Sequence, residues 1–179
     1  DFVGWFDSRV SENRVQIIPS VLVKNADTHT LFAVFKEIET SLTIVLDGGD
    51  LLLEENPIKK KFGETFTFGE PTKTGYDFIG YTSTVDGALK DNGDGTWTYT
   101  FGLTNAVVTA QWTAQSVNVT FKLSSDAIAD GVVIDWTGLT HTGDVMKATF
   151  GGKYNALPKV SRYGWEFKGW FTEENGQGE

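Results

Sequence analysis

Gly75-Tyr76-Asp77-Phe78-Ile79-Gly80-Tyr81 decides how this chain is read. It follows the pattern Gly-aromatic-x-Phe-x-Gly-aromatic, which returns at Gly164-Trp165-Glu166-Phe167-Lys168-Gly169-Trp170. Its second half also opens the chain, as Phe2-Val3-Gly4-Trp5. A motif that recurs in this way marks a repeat protein. The motif glycines at 4, 80 and 169 are 76 and 89 residues apart, and units that long are small domains rather than solenoid turns. Gly75 and Gly80 allow a tight entry and a close backbone approach. Phe78 and Tyr81 are expected to fill a small core.

Working outward, Pro71 to Gly75 reads as a loop, and Lys59 to Phe68 as a strand bent at Gly63. Even spacing would put Phe62, Phe66 and Phe68 on one face of that strand. Leu51 to Glu55 has the makings of one helical turn before Pro57 ends it. Asp47-Gly48-Gly49-Asp50 is a turn after the strand Leu42 to Leu46. Downstream, Asn92-Gly93-Asp94-Gly95 is a hairpin signal. The strand that follows alternates, with Trp97, Tyr99 and Phe101 on one face and Thr96, Thr98 and Thr100 on the other. Val107 to Trp112 closes the unit.

The division expected is 1–37 as the back half of a first repeat, 38–115 as a complete second, and 116–179 as a third. The third carries an insertion near 124–143 and lacks its last strands. Within the first, Phe2 to Phe6 is a strand, Asp7 to Asn13 is turn-like, and Val15 to Ile18 and Val21 to Val23 are apolar runs broken by Pro19. Asn25 to Thr28 is a turn, and Leu31 to Phe35 is a strand expected in the middle of a sheet. Met146 to Trp170 replays Ile58 to Tyr81, with Phe150-Gly151 at Phe62-Gly63 and Pro158 near Pro71. Glu37 to Ser41 and Thr113 to Ser116 read as short linkers. The chain opens inside its own motif, as a piece of a longer array would.

With 179 residues, 40% hydrophobic and 22% charged, the composition is globular. Its Gly, Thr, Val and Phe favour β structure. A net charge of −9 argues against nucleic acid or an anionic membrane as partner. Lys59-Lys60-Lys61 is a short run suited to a solvated edge strand. The absence of cysteine excludes disulfides, thiolate zinc sites and cysteine nucleophiles. No apolar run is long enough to span a membrane.

These residues resemble the Listeria–Bacteroides repeat family, the B-repeat of internalins. The second repeat offers Ile44-Val45-Leu46, Gly48-Gly49, Phe62-Gly63-Glu64, Pro71, Gly75 to Tyr81, and Val108-Thr109-Ala110-Gln111-Trp112. The first gives Thr30-Leu31-Phe32-Ala33-Val34-Phe35. Two positions depart from the family: Tyr81 stands where Trp is usual, and Gly152 stands where the Gly-Glu step has its Glu. The resemblance implies small β-grasp-like modules in tandem, secreted and held at a bacterial surface. Such modules are associated with adhesion or spacing and are not enzymes.

The candidate contacts are aromatic. Trp97 and Tyr99 belong to a stripe that is either a core face or a flat platform for a sugar ring or protein partner. Trp136, in the insertion, is a second candidate. Asp91 to Gly95 is a hairpin turn, with a calcium loop as its alternative. His29 and His141 have no second ligand nearby for a metal. Glu54-Glu55 and Glu173-Glu174 are neighbours in sequence and do not make a glycosidase pair. No catalytic constellation and no cofactor motif is found. The function expected is a non-enzymatic, extracellular, mostly β module that binds a surface protein or glycan. A structural stalk and a carbohydrate-binding accessory of a secreted enzyme are the alternatives.

Overall fold

The structure, a computed structural model, describes residues 1–7, 15–18, 30–173, 176 and 178. The chain is mostly β, 45% strand and 4% helix, in several small sheets. In order it forms β1 (Phe2–Phe6), β2 (Gln16–Ile17), β3 (Phe32–Phe35), β4 (Glu39–Val45), β5 (Ile58–Lys61), β6 (Thr65–Gly69) and β7 (Tyr76–Ser83). Then follow β8 (Leu89–Asp91), β9 (Thr96–Thr100), β10 (Ala106–Ala114), β11 (Ser116–Thr120), α1 (Ser125–Ala129), β12 (His141–Thr142) and β13 (Val145–Thr149). Two compact units result, Asp1–Pro71 with Gly80–Gln111, and Thr72–Ile79 with Trp112–Glu179.

The first unit's core follows from period-2 patterning. Thr40, Leu42 and Ile44 on β4 are buried, as are Ala106, Val108 and Ala110 on β10. These two strands run parallel, Leu42 opposite Ala106 and Ile44 opposite Val108. They form the middle of a sheet ordered β5-β4-β10-β7. A second sheet, β6-β9-β8, turns its aromatic stripe inward. Tyr81 on β7 packs edge-on against Phe68 on β6 and Trp97 on β9, with centroids 5.2 and 5.5 Å apart. The β8–β9 hairpin forms where Asn92 to Gly95 predicts it, Asp91 opposite Trp97.

Several expectations are corrected. Lys59 to Phe68 is not one bent strand. The chain turns fully at Gly63 (φ +83°), so β5 joins one sheet and β6 the other. Phe66 and Phe68 stack at 5.9 Å, while Phe62 falls in the turn and is exposed. Leu51 to Glu55 forms no helical turn. Instead Asn56 continues the ladder of β4, its Oδ1 accepting from Ile44 N–H (3.0 Å) and its Nδ2 donating to Ile44 C=O (2.7 Å). Thr113 and Ala114 belong to β10, leaving Gln115 as the whole connection to β11. β5 carries its three lysines on a sheet edge, as expected.

In the first sheet the described strands are ordered β2-β1-β3, which among the described residues leaves β3 at an edge rather than in the middle where it was expected, with Leu31 and Phe35 exposed. Positions 8–13 of the turn expected at Asp7 to Asn13, Pro19, Val21 to Val23, the turn 25–28, His29 and Glu174 lie outside the described residues.

The second unit holds the sheet β11-β13-β12 and the short α1, whose N-cap Ser124 accepts from Ala127 N–H. Its core is Phe121, set edge-on against Trp136 (5.4 Å) and Trp170 (4.9 Å), with Met146 and Ala127 buried.

Candidate functional site

The motif that organises the sequence recurs as geometry. Gly75 and Gly164 both take φ +77°, a conformation that costs a residue with a Cβ roughly 1–2 kcal/mol. Tyr76 N–H donates to Lys73 C=O at 3.1 Å, and Trp165 N–H to Arg162 C=O at 3.1 Å. Lys73 Nζ lies 4.5 Å from the Tyr76 centroid, and the Arg162 guanidinium 4.3 Å from that of Trp165. Tyr81 Oη donates to Gly69 C=O at 3.0 Å, and Trp170 Nε1 to Pro158 C=O at 2.9 Å, each across 12 residues. Every partner is displaced by the same 89 positions, which sets Pro158 at Gly69 rather than at Pro71. The turn before the motif recurs too. Glu64 N–H donates to Lys61 C=O at 3.1 Å and Gly152 N–H to Thr149 C=O at 3.0 Å. Glu64 adds a cap, its Oε2 accepting from Lys61 N–H at 2.8 Å. Gly152 keeps the backbone bond and loses the cap. In the first copy Gly4 takes a positive φ of +155°, as its counterparts Gly80 (+122°) and Gly169 (+136°) do, and Phe2 and Trp5 meet edge-on at 5.9 Å.

In the first unit Trp97 borders an open cleft of about 200 Å³ with Tyr81, Ser83, Asp86 and Leu89. Gly80 takes φ +122°, and a Cβ there would only touch Trp97 Cη2, at 3.6 Å. Tyr81 is buried with its hydroxyl on Gly69, and Ser83 Oγ is held by the Val85 backbone. Asp86 is exposed on the rim. The cleft is smaller than the ~300–1,000 Å³ of common ligand pockets. Trp97 was legible as a candidate. Asp86 was not, because it reaches Trp97 only through the return of β7 into β8.

Tyr99 is corrected: at 1% exposed it belongs to the core, edge-on to Phe101 at 5.2 Å, and offers no platform. Burial pushes its phenol pKa up. Trp136 is half-buried, with Phe121 at its edge and His141 stacked on it at 4.3 Å and 8°. His141 Nδ1 is 2.8 Å from Gly143 C=O. Phe78 is half-buried against Trp112, 5.6 Å away, rather than central in the core. Trp165, 67% exposed, and Phe167 are exposed aromatics of the second unit. Asp91 and Asp94 serve the hairpin itself. Asp91 Oδ1 accepts from Gly93 N–H, and Asp94 Oδ1 from the hydroxyl and N–H of Thr96, which hold the Asp94 carboxyl below its usual range. Thr137 does the same for Asp135. Among the described residues no three His, Cys, Asp or Glu are grouped to hold a metal ion, and no helix is long and apolar enough to cross a membrane.

Tyr81 sets an alkaline limit. Burial, and secondarily the charge of Glu70, pushes its phenol up to about 12, against about 10 in an unfolded chain. A pKa raised on folding stabilises fully below the unfolded value and is lost as pH rises through the folded one. Stability should therefore fall between about pH 10 and about 12. Tyr81→Phe should flatten that fall while lowering neutral-pH stability by about 1 kcal/mol, through loss of the Gly69 bond. Urea melts at stepped pH would check it, and an unchanged alkaline slope would assign the fall elsewhere.

Comparison of the chain with family models, curated proteins and solved structures finds no match.

Proposed function

We propose that this chain is a run of β-grasp-like repeat modules from an extracellular, non-enzymatic bacterial surface protein, and that it contributes adhesion. The observation that carries the repeat reading is the aromatic-to-carbonyl bond across 12 residues, made by Tyr81 to Gly69 and again by Trp170 to Pro158. On this reading residues 38–115 are the complete module, flanked by the partial modules 1–37 and 116–179. An array of like modules extends reach and presents the same face repeatedly, which suits adhesion through many weak contacts. The resemblance to bacterial surface repeats supports the location.

A second reading gives the adhesion a ligand class. The half-buried Trp97, with Asp86 on the rim of the same cleft, has the make-up of a carbohydrate contact: an aromatic wall for the apolar face of a sugar and a carboxylate for its hydroxyls. This reading also covers a carbohydrate-binding accessory of a secreted enzyme.

The test is labelled protein on a glycan array. Binding is expected to weaken at least about tenfold in Trp97→Ala and in Asp86→Asn. It should survive Trp136→Ala, because that ring is already covered by Phe121 and His141. A folded sample that binds no glycan would favour the purely structural stalk.

A further inference from the structure

The charge around Trp97 is of one sign. Among the residues that line its cleft, Asp86 alone is charged, and it is exposed. Strand register adds a second carboxylate. Asp91 on β8 stands opposite Trp97 on β9, as Leu89 stands opposite Tyr99. Opposed residues of an antiparallel pair project from the same face of the sheet, so Asp91 shares the face of Trp97. Lys90 stands opposite Thr98 and falls on the other face. A third carboxylate lies beside Tyr81. Glu70 follows Gly69, whose C=O accepts from the Tyr81 hydroxyl at 3.0 Å. Burial, and after it the charge of Glu70, pushes the Tyr81 phenol up.

The aromatic wall suits a cation. Trp97 and Tyr81 both line the cleft, with their planes at 83° and their centroids 5.5 Å apart. The faces of such rings carry negative potential, and a cation within ~6 Å of a centroid is attracted to them. Carboxylates beside the rings act in the same sense over a Debye length of ~10 Å. A sugar carboxylate or sulfate would meet no counter-charge in the lining, and the net charge of −9 opposes its approach.

We propose that the Trp97 cleft selects a cationic sugar, a glucosamine unit with its amine free and protonated, over the N-acetylated or acidic counterpart. The proposal rests on the reading of this cleft as a carbohydrate contact and adds the charge of the sugar. The ammonium group is held by the aromatic corner and the Asp86 carboxylate. N-acetylation keeps the sugar ring and removes the charge, so it isolates that one attraction.

Isothermal titration of the whole chain with a glucosamine trisaccharide and with its N-acetylated form tests this, in low salt and at a mildly acidic pH that keeps the amine protonated. The amine form should bind at least about tenfold more tightly. Asp86→Asn should weaken the amine form at least about tenfold and the N-acetylated form by much less. Added salt should weaken the amine form alone. Trp97→Ala should weaken both, and Trp97→Phe replaces it if near-ultraviolet dichroism shows that the alanine variant is unfolded. An N-acetylated form that binds as tightly, or an amine form indifferent to both salt and Asp86→Asn, would overturn the charge preference and leave the carbohydrate reading standing. A folded chain that binds neither sugar would overturn both.

Discussion

Phe101→Ala is expected to lower the unfolding free energy by about 3–5 kcal/mol, and Phe78→Ala by only about 1–2 kcal/mol. Phe101 is 1% exposed and edge-on to the equally buried Tyr99. Its backbone also ties the turn at Gly63 to the second sheet: Gly63 N–H donates to Phe101 C=O at 2.8 Å, and Phe101 N–H to Glu64 C=O at 2.9 Å. Truncating the ring leaves a cavity at a point held from several sides, where collapse is hard. Phe78 is half-buried, with Trp112 edge-on to it, so solvent reaches part of what its truncation vacates. A domain stable by about 5–15 kcal/mol survives the second change and is severely weakened by the first. Urea unfolding of both variants, followed by tryptophan fluorescence, decides between them. If Phe78→Ala proves the costlier, the core is centred on the motif after all, and the packing around Phe101 is secondary.

That contrast also shows what the sequence can convey. Alternation along Thr96 to Phe101 was readable, because a half-buried strand has a period of two and these residues obey it. The hairpin at Asn92 to Gly95 was readable because two positions there need positive φ, and Gly93 and Gly95 take it at +74° and +82°. The repeat was readable from its glycines. The exchange of sheets at Gly63 was not, since a bend and a full turn both call for one glycine. The edge position of β3 among the described residues was hidden because apolar residues on both faces of a strand read as a central one. Asn56 gave no sign of pairing with Ile44, as an asparagine in a loop is ordinary. Of the cleft, Trp97 was visible as one member of a stripe. That Trp97 is half-buried while Tyr99 is fully buried is encoded by no local pattern, since both alternate alike and both pair with β8.

Gly75→Ala should cost about 1–3 kcal/mol more than Gly164→Ala, although the two glycines share one motif position and one φ of +77°. The shared conformation costs any Cβ-bearing residue about 1–2 kcal/mol, and that part is common to both. The surroundings differ. A Cβ on Gly75 runs into the Phe150 ring, whereas one on Gly164 meets nothing within 4 Å. Phe150 cannot simply withdraw. Its ring is edge-on to Tyr76 at 5.7 Å, and its N–H is bonded to Gln115 C=O at 2.8 Å. Gln115 is itself tied to the motif, its N–H donating to Gly75 C=O at 2.9 Å and its Nε2 to Asp77 Oδ1 at 2.7 Å. Relief of the clash must therefore disturb the sole connection between β10 and β11. A double-mutant cycle isolates this contact. In a Phe150→Ala background, Gly75→Ala should fall to the cost of Gly164→Ala, because only the backbone penalty remains. Equal costs for the two single variants would mean that the ring swings aside freely. Glycine at 75 would then serve its turn alone, as glycine at 164 does.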